Sequence, residues 1–486
     1  MLKIYNTLTR QKEPFIPMEE GVVKLYVCGM TTYSDAHIGH ARTYVAFDII
    51  RRYLEYKGYK VFYVQNITDI DDKIIKAANE AGMDALEYSA YYARRCLEDM
   101  NKLGIKPADL YPKASEHIND MIEMIEKLVE KKFAYVANGD VYFSVEKFRD
   151  YGRLSNQKMD EIKAGARIKP EEKKRKPEDF ALWKAAKPGE PKWKSPWGYG
   201  RPGWHIECSV MSSKYLGMPF DVHGGGADLI FPHHENEIAQ AEAAYGKRFV
   251  NYWLHSGMLK VEGEKMSKSL GNVILLKEAL KKWRSDTLRF FFASYHYRSP
   301  ADFSEEALKN AENSLKRLRV AKEKLEEFAE EGKLNEKELD GIEREYLKEI
   351  KTAKRKFEEA MDDDFNTPKA LESLFDFVKE TNKFLMEKEK PNRKLCNHAL
   401  KEFMRMAHVL TLFQEEKAIN EKAIRKIGEK YGIKGEAKGI IEELIEIRKK
   451  ARKEKNYKVA DAIRDELKKA GIELEDMGEE TKWRII

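Results

Sequence analysis

Cysteine is scarce in this chain. Its 486 residues include four cysteines, too few and too far apart for the disulfide framework of a small secreted protein. They are Cys28, Cys96, Cys208 and Cys396. The chain is therefore expected to keep its thiols reduced, which indicates a cytoplasmic location and leaves the cysteines available for other chemistry.

Long apolar runs are also missing. No segment approaches the roughly 18 consecutive apolar residues that a membrane-spanning helix needs. The first stretch of the chain, MLKIYNTLTRQKEP, is polar and lacks the apolar centre of a signal peptide. These absences argue against membrane insertion and export, so we expect a soluble protein.

A strong charge of one sign is absent too. The 89 basic residues nearly balance the 83 acidic residues, which leaves a formal net charge of +6. This small excess permits nucleic-acid binding without establishing it, because basic residues can be concentrated locally. Charge of both signs is abundant, since 35% of residues are charged and 42% are hydrophobic. The length and composition predict two to four domains, and the many charges lean weakly towards a heat-adapted source.

The beginning of the chain alternates like a parallel α/β unit. Residues 22–28, VVKLYVC, predict a buried strand, and residues 60–68, KVFYVQNIT, predict a second strand. Between them lies a helical pattern that Gly58 is expected to end. Its apolar face comprises Ala46, Ile49, Ile50, Tyr53 and Leu54. Because strand, helix and strand form a parallel crossover, we expect an α/β fold with a doubly wound, Rossmann-like sheet.

The rest of the chain changes character several times. Residues 115–135 predict an amphipathic helix, whereas residues 157–200 are rich in lysine, proline, tryptophan and glycine and predict an irregular insertion. A second α/β portion is expected at about 200–280, followed by helices at about 304–415. The end of the chain predicts a separate basic unit with helices at about 438–469.

Two histidines flank a glycine just after the first predicted strand. The stretch CGMTTYSDAHIGHAR carries His37 and His40 to the first turn of a helix, where free backbone N–H groups favour anions. Residues three apart share a face of that turn, and Gly39 between them lets a ligand lie against the backbone. The pattern suits a nucleotide phosphate whose charge grows during reaction, although two capping or core histidines would look the same.

A lysine- and serine-rich loop lies far downstream. Residues 265–269 read KMSKS, in which Lys265, Ser267 and Lys268 could grip a polyphosphate, but alone the loop fits a solvated surface equally well. Together, HIGH and KMSKS resemble the two signature motifs of class I aminoacyl-tRNA synthetases. The resemblance implies that an amino-acid carboxylate attacks the α-phosphate of ATP and releases pyrophosphate. The aminoacyl group would then pass to the terminal adenosine of a tRNA.

Four residues are candidate metal ligands. Cys28 follows the first strand, Cys208 lies in GRPGWHIECS, and His233 and Glu237 are four apart on a predicted helix. Two thiolates, an imidazole and a carboxylate suit Zn²⁺. The spacing matches no short zinc-finger pattern, so cysteines in the core and a His–Glu pair on the surface stay open as alternatives.

The chain is similar to the cysteine–tRNA ligase family along nearly its whole length. The matching stretches are CGMTTYSDAHIGHAR, NITDIDDKI, YGRLSNQ, PEDFALWKAAKPGEPKWKSPWGYGRPGWHIECSVM, DVHGGGADLIFPHHENEIAQ, NYWLHSGM, KMSKSLGN and HYRSPADFS. In that family the equivalents of Cys28, Cys208, His233 and Glu237 bind zinc, which implies one Zn²⁺ per chain and L-cysteine as substrate.

The implied zinc accounts for selectivity. A thiol binds Zn²⁺ as thiolate, whereas the hydroxyl of serine is a poorer ligand, so no editing domain is required and none is evident. We expect the substrate sulfur to enter as a fifth ligand or to displace Glu237.

The same resemblance assigns residues to the substrates. Gly29, Thr68, Trp204 and His223 are expected to line the amino-acid pocket, although Trp204 fits core packing equally well. Asp228 is a candidate for binding the adenosine, with a helix N-cap as the alternative. The residues expected to act on ATP are His37, Gly39, His40, Lys265, Ser267 and Lys268.

The expected catalytic roles follow from charge. The two histidines of HIGH would stabilise the pentavalent phosphate, and Lys265 and Lys268 would clamp the leaving pyrophosphate. No general base is needed, because the attacking carboxylate is already ionised. Mg²⁺ is expected to accompany ATP, with no protein ligand that the sequence identifies.

The basic tail separates two related enzymes. An enzyme that joins cysteine to an amino sugar resembles the front of this chain, but it is shorter and handles no tRNA. The tail resembles the small anticodon-reading unit of cysteine–tRNA ligases, which implies tRNA(Cys) as partner. The expected contacts are Arg452, Asp461, Asp476 and Trp483, while Tyr457 replaces the usual tryptophan. A solvated pair of Lys/Glu helices is the alternative, and a non-catalytic RNA-binding relative is disfavoured by the intact motifs.

These inferences divide the chain into five expected parts. They are a Rossmann-like catalytic domain (1–115 and 198–240), a connective insertion (116–197), a linking, stem-contact region with KMSKS (241–303), a helical bundle (304–415) and a small anticodon-binding domain (420–486). We expect a monomer that binds ATP, L-cysteine and tRNA(Cys) and does not bind membranes.

Overall fold

The computed structural model gives the fold of most of the chain. The residues it describes are 1–165, 173–266, 270–413, 420–454, 456–477 and 480–485. The chain divides into two compact units, Met1–Phe413 and Gln414–Ile486. Within the described ranges, no helix is both long enough and apolar enough to cross a bilayer.

Strands and helices alternate through the front of the chain, and helices dominate the back. The strands are β1 (Lys3–Asn6), β2 (Gln11–Pro14), β3 (Val22–Val27), β4 (Lys60–Gln65), β5 (Ala134–Ala137), β6 (Asp140–Phe143), β7 (Phe180–Ala185), β8 (Trp193–Ser195), β9 (Gly198–Pro202), β10 (Phe220–Gly226), β11 (Val250–Ser256), β12 (Leu259–Val261), β13 (Glu264–Lys265), β14 (Ala301–Phe303), β15 (Ile472–Met477) and β16 (Glu480–Ile485). The α-helices are α1 (Ile38–Tyr56), α2 (Asp72–Ala81), α3 (Ala85–Lys102), α4 (Ile118–Glu130), α5 (Met159–Gly165), α6 (Trp204–Leu216), α7 (Glu235–Tyr245), α8 (Leu276–Lys282), α9 (Ser285–Ala293), α10 (Glu305–Phe328), α11 (Gly341–Asp362), α12 (Thr367–Glu387), α13 (Arg393–Val409), α14 (Glu421–Lys430), α15 (Ala437–Lys453) and α16 (Tyr457–Lys469).

A parallel sheet forms the centre of the first unit. Its strands lie in the order β11–β10–β3–β4, and α1 makes the predicted crossover from β3 to β4. Side chains of β3 and of the residue after it alternate between two cores. Val23 and Leu25 face one core, whereas Tyr26 and Cys28 face the other. Apolar residues of α6 and α7 belong to the second core, so the alternation brings Cys28 to their side of the sheet. The predicted doubly wound α/β fold is confirmed.

The insertion departs from the sequence-based expectation. Residues 157–200 were expected to be irregular, which is wrong, because β7, β8 and most of β9 lie there. They join an antiparallel sheet of order β5–β6–β7–β9–β8. Leu182 and Trp183 are fully buried in the second core, so burial of these two side chains overrides the many lysines and glycines around them. The helix expected over 115–135 is shorter, since α4 ends at Glu130 and β5 begins at Ala134.

Helix α1 links the sheet to the helical bundle formed by α10 to α13. Near its middle, the buried carboxylate of Asp48 accepts hydrogen bonds from Arg289 on α9 and from Thr411, just beyond α13. Near its end, the hydroxyl of Tyr53 donates to the carboxylate of Asp362 on α11, at 2.7 Å. Apolar residues of α1 and of the bundle share one continuous core. A single helix thus starts beside the sheet edge and ends against the bundle.

The second unit contains α14, α15 and α16 with the antiparallel hairpin β15–β16. Its small core is formed chiefly by isoleucine and leucine side chains, among them Ile441, Leu444, Ile463 and Leu467. The hairpin includes Trp483, which pairs with Leu474 across the two strands. The helices and the strand-like end expected for this part of the chain are therefore present.

Candidate active site and metal centre

The start of α1 is built by the two histidines of HIGH. The backbone N–H of His40 donates to Nδ1 of His37, and the N–H of His37 donates to Nδ1 of His40, both at 3.3 Å. The two rings stack with centroids 3.5 Å apart. This reciprocal arrangement is a capping box, so the capping interpretation left open by the sequence describes the geometry. The histidines nevertheless lie at the helix end that attracts anions, which keeps the phosphate role as a prediction.

The KMSKS region lies against this helix end. A Cβ atom added at Gly39 would be 2.8 Å from Cε of Met266, so the KMSKS methionine lies directly against this glycine and would have to shift to admit a side chain. Lys265 is exposed at the end of β13, whereas Ser267 and Lys268 lie outside the described residues. On the far side of the loop, the N–H of Ile38 donates to the carbonyl of Ile274 at 3.0 Å. The structure thus places parts of both signature motifs side by side.

The four predicted metal ligands converge, although they come from distant parts of the chain. Cys28 follows β3, Cys208 lies on α6, His233 lies in the turn before α7, and Glu237 lies on α7. The Sγ atoms of Cys28 and Cys208 are 3.7 Å apart, and Cys28 Sγ is 3.5 Å from Glu237 Oε1. His233 Nε2 is 3.1 Å from the same oxygen. All four side chains are buried.

His234 joins this cluster and was missed by the sequence analysis. Its Nε2 lies 3.3 Å from Cys28 Sγ and 3.9 Å from Glu237 Oε1. Among the described residues, Cys28, His233, His234 and Glu237 form a group whose ligand atoms all lie within 4.8 Å of one another. The signal was available in PHHENE, because the second histidine is three residues before Glu237 and so lies near the same helix face.

Charges in the cluster compensate one another. Burial raises the pKa of a thiol, but hydrogen bonding to Cys28 and His233 outweighs it at Cys208 and lowers its pKa to about 6. The pKa of Cys28 is raised well above its ordinary value by burial and by Cys208. Burial also opposes the charged forms of His233 and Glu237. Their partners prevail, so the pKa of His233 rises to about 10 and that of Glu237 falls to about 2.

This donor set fits a zinc ion. It combines soft sulfur atoms, imidazole nitrogens and a carboxylate in a buried site, which is the chemistry that Zn²⁺ prefers. His233 favours the charged forms of Cys208 and Glu237, and a divalent cation bound by the same side chains would do the same.

A ring of outer residues orients the candidate ligands. His223 Nε2 lies 2.8 Å from Glu237 Oε2, and the ring of His223 stacks on Trp253 with centroids 4.4 Å apart. His234 Nδ1 is 2.8 Å from His255 Nε2. Such contacts fix ring orientation and tautomer at metal sites. His223, predicted to line the amino-acid pocket, therefore contacts a candidate ligand directly.

The other predicted pocket residues surround the same cluster. The N–H of Gly29 donates to Oδ1 of Asn66 at 2.8 Å, and Nδ2 of Asn66 donates to Thr68 Oγ1 at 3.1 Å. Asn66 was missed by the sequence analysis; its position just after β4 was the available signal. A Cβ at Gly29 would lie 1.7 Å from the carbonyl oxygen of Asn66, so only glycine fits. The ring centroid of Trp204 lies 4.4 Å from that of His233, and its residue is 37% exposed, unlike a core tryptophan.

Asp228 lies at the carboxyl end of β10. It belongs to a 3₁₀ turn, Ala227–Leu229, whose N-cap is Gly226 and not Asp228, so the capping alternative is wrong for this turn. Ligands of open parallel sheets bind in this region, beyond the carboxyl ends of the strands. The position is compatible with the predicted adenosine contact, which stays a prediction.

The predicted tRNA contacts lie in the second unit. Arg452 is on α15, Asp461 is exposed on α16, and Trp483 packs beside the small core. The carboxylate of Asp476 accepts two hydrogen bonds from Arg448, at 2.7 and 2.8 Å, and one from Arg452 at 2.7 Å. The structure thus brings Arg452 and Asp476 together and gives Asp476 an internal partner, Arg448, that the sequence analysis missed.

The fold and the signature motifs define a class I aminoacyl-tRNA synthetase. Among solved structures, methionyl-tRNA synthetase of Mycobacterium tuberculosis bound by methionyl-adenylate is similar with a TM-score of 0.60 and 14% identity, over 83% of this chain and 94% of that chain. The ternary complex of Agrobacterium radiobacter K84 agnB2 LeuRS with tRNA and LeuAMS is similar with a TM-score of 0.59 and 12% identity, over 87% of each chain. At these identities the likeness concerns the fold.

Sequence relatives narrow the class to one family. The model of the class I (C) tRNA synthetase catalytic domain matches residues 14–313, a DALR domain matches 356–414, and the cysteinyl-tRNA ligase anticodon binding domain matches 435–484. Cysteine–tRNA ligases of Pyrococcus furiosus and Thermococcus gammatolerans are 53% and 52% identical over 100% of this chain, covering 100% and 99% of theirs. The chain belongs to the cysteine–tRNA ligase family, and it is a ligase that attaches cysteine to tRNA. The family and enzyme class predicted from the sequence are confirmed.

Proposed function

We propose that the chain activates L-cysteine with ATP and then transfers it to the 3′ end of tRNA(Cys), with zinc selecting the substrate thiol. The observation that carries the proposal is the convergence of the buried residues Cys28, Cys208, His233 and Glu237, with Trp204 stacked near His233. Groups so far apart in sequence meet in one cluster at the edge of the sheet where α1 begins. This supports a joint site for sulfur recognition and nucleotide chemistry.

The cluster residues are proposed to hold one Zn²⁺. When bound, the ion supplies a Lewis acid that takes up the substrate sulfur as thiolate. Four protein ligands usually mark a closed structural site, so the substrate sulfur would either add as a further ligand or take the place of Glu237. His223 supports the second course, because its hydrogen bond to Glu237 Oε2 gives the carboxylate a partner on the other side.

The pocket side chains are proposed to complete the selection. The ring of Trp204 lies against that of His233, and Thr68 accepts a hydrogen bond from Asn66, so both side chains would be held in place when substrate binds. An apolar pocket alone rejects a near-isostere by only about a hundredfold. Recognition of sulfur by a metal could exceed that limit, which would account for selection against serine without an editing domain.

The activation step is proposed to rest on charge stabilisation. His37 and His40, with the N–H groups at the start of α1, would stabilise the α-phosphate as negative charge grows. Lys265, together with Lys268 and Ser267 of the undescribed part of the loop, would hold the leaving pyrophosphate. Asp228 would contact the adenosine of ATP, and Gly39 would let the nucleotide lie against the protein backbone. Mg²⁺ would accompany the nucleotide.

The second unit is proposed to bind the tRNA. Arg452, Asp461, Asp476 and Trp483 would meet the anticodon bases, by the resemblance of this unit to the matched anticodon-binding family. The five-part division of the chain also stays a proposal, and the boundary of the second compact unit at Gln414 supports its last step. We expect the enzyme to act as a monomer.

ATP–pyrophosphate exchange tests the proposal directly. We expect exchange that depends on L-cysteine, is far weaker with L-serine, and tracks zinc content across partly depleted preparations. In protein substituted with Co²⁺, addition of cysteine should change the visible absorption spectrum, because sulfur joins the metal. Full exchange without bound metal, or an absorption spectrum insensitive to cysteine, would contradict zinc-based selection. Exchange without charging of tRNA(Cys) would contradict the transfer step.

A further inference from the structure

One carboxylate joins three elements around the two signature motifs. Asp35, two residues before HIGH, receives hydrogen bonds from Arg95 Nε at 2.6 Å and Arg95 Nη2 at 3.0 Å. Its Oδ2 also accepts from Nζ of Lys277 at 2.6 Å. Arg95 lies on α3, and Lys277 lies on α8, the first helix after KMSKS. We call these three residues the Asp35 cluster.

Backbone hydrogen bonds run beside the Asp35 cluster. The N–H of Leu276 donates to the carbonyl of Ala36 at 2.8 Å, and the N–H of Ile38 donates to the carbonyl of Ile274 at 3.0 Å. The residues on either side of His37 are thus paired with the segment that anchors the KMSKS loop at its C-terminal side. Two backbone hydrogen bonds contribute little to stability by themselves. The charged pair of Asp35 and Lys277 beside them restrains the alignment of the two segments.

The charge on Asp35 distinguishes it from a nearby carboxylate. Asp99 lies one turn beyond Arg95 on the same helix and is similarly hidden, with 7% of its side chain exposed against 10% for Asp35. Burial raises the pKa of Asp99, which is paired with Lys102. Burial acts in the same direction at Asp35, but Arg95 and Lys277 outweigh it and hold the pKa of that carboxyl below its ordinary value. Two cations from separate elements therefore keep Asp35 ionised.

We propose that Asp35 is a positioning residue for the nucleotide reaction: it sets the spacing between the HIGH helix and the KMSKS anchor by joining the loop before α1 to Lys277. Binding of a polyphosphate between two motifs requires both at the right separation, and small misplacements cost much of the rate. Asp35 touches neither substrate nor reacting atoms in this scheme. It acts through the placement of Ala36 to Ile38 against residues 274–276. The inference rests on the proposed function, in which these motifs hold ATP.

The first test compares variants of the Asp35 cluster with variants of nearby residues of the same type outside the cluster. Asp35→Asn and Lys277→Met are expected to raise the KM for ATP about tenfold in cysteine-dependent exchange, and the double variant should be no worse than the more impaired single variant. The KM for cysteine and the zinc content should stay within about twofold of wild type, since Cys208, His233 and Glu237 lie on other elements and Cys28 lies at the far end of the loop that contains Asp35. Asp99→Asn and Lys281→Met are the controls; Lys281 lies on the same helix as Lys277 but pairs with Glu278 at the surface.

The outcomes separate the positioning role from a general loss of structure. An unchanged KM for ATP in Asp35→Asn, or equal losses for ATP and cysteine, overturns the proposal. So does a double variant whose defect is the product of the single defects. If Asp35→Asn does not fold, Lys277→Met decides alone, because its side chain is partly exposed and its loss leaves the Arg95 pair intact.

A second measurement is independent of catalysis. Hydrogen exchange at the amides of Ile38 and Leu276 should be about tenfold faster in Asp35→Asn than in Asp99→Asn, because these amides report the pairing of the two segments. Equal exchange in the two variants overturns the positioning role. Wild-type protein without any cysteine-dependent exchange would instead contradict the proposed function, and the amide measurement would still test the Asp35 cluster.

Discussion

The candidate metal centre around Glu237 and the cluster of Asp476, Arg448 and Arg452 in the second unit (the Asp476 cluster) both pair a carboxylate with cationic side chains, but in opposite surroundings. In the first, Glu237 is fully buried and meets His223 and His233. In the second, one third of the Asp476 side chain is exposed, and its partners are Arg448 and Arg452. A buried charge must be paired, whereas an exposed charge can exchange its partner for water or for another ligand. The comparison teaches that the contacts of Glu237 are fixed by the fold, whereas the contacts of Asp476 can be rearranged by a bound partner.

The largest effect is expected when a thiol is removed from the buried candidate metal centre. Cys208→Ala is expected to lose bound zinc and at least about a thousandfold of cysteine activation, because a ligand and a buried charge partner vanish together. Metal analysis and pyrophosphate exchange measure both effects. Cys396→Ala is the control, since Cys396 is buried in the helical bundle. Retention of stoichiometric zinc in Cys208→Ala would contradict the assignment.

Acid should remove the stability that the buried carboxylate of Glu237 contributes. The pKa of Glu237 is about 2 in the folded protein and ordinarily near 4.5, so its ionised form stabilises the metal-free protein above about pH 4.5. This contribution should be lost as pH falls towards 2, and it amounts to about 3 kcal/mol. Denaturant unfolding of metal-free protein between these values, with Glu237→Gln as reference, measures it. Identical acid dependence in both proteins would refute the account.

A substitution in the exposed Asp476 cluster should affect tRNA charging and leave the activation of cysteine unchanged. Arg452→Ala is expected to lower kcat/KM for charging of tRNA(Cys) about tenfold and to leave pyrophosphate exchange unchanged, because the proposed RNA contact of Arg452 lies outside the unit that carries HIGH and KMSKS. Arg425→Ala is the matched control, an exposed arginine of the same unit that pairs with Glu421. Equal loss in both assays would argue that the variant acts through folding.

The smallest effect is expected at the edge of the Asp476 cluster. Thr481 donates to Asp476 Oδ1 at 2.8 Å from the facing strand of the hairpin. Thr481→Val should cost about 1 kcal/mol or less of stability, since one exposed hydrogen bond is lost. Hydrogen exchange of the hairpin amides measures the change, and Thr481→Ser, which keeps the hydroxyl, should restore protection. A larger loss in Thr481→Ser would show that the methyl group matters more than the hydrogen bond.

Local patterns allowed much of the fold to be predicted. The apolar face of α1 and the flanking strands β3 and β4 could be predicted from periodicity, because their buried apolar side chains recur at the spacing of a helix or a strand. The strands over residues 180–202 could not be read from composition, since their partner strands and the core that buries Trp183 are set by tertiary contacts.

The metal centre shows the same limit. Sequence spacing cannot reveal that Cys28 and Cys208 meet, because their contact depends on the alternation of β3 and on the packing of α6. The family resemblance supplied that set, and the structure brings it together. His234 and Asn66 had local signals in PHHENE and at the end of β4, but their contacts with Cys28 and Gly29, like that of Arg448 with Asp476, join residues distant in sequence.

The path of α1 bears on how such enzymes could be recombined. One helix has its first turn at the HIGH loop, while Asp48 and Tyr53 bond to Arg289, Thr411 and Asp362 around the bundle. A chimaera that joins this front to a foreign bundle near residue 304 would leave the carboxylate of Asp48 without its threonine partner inside an apolar interface. Exchange of parts between synthetases would therefore have to move α1 and the bundle as a pair, even though the catalytic motifs lie only at one end of the helix.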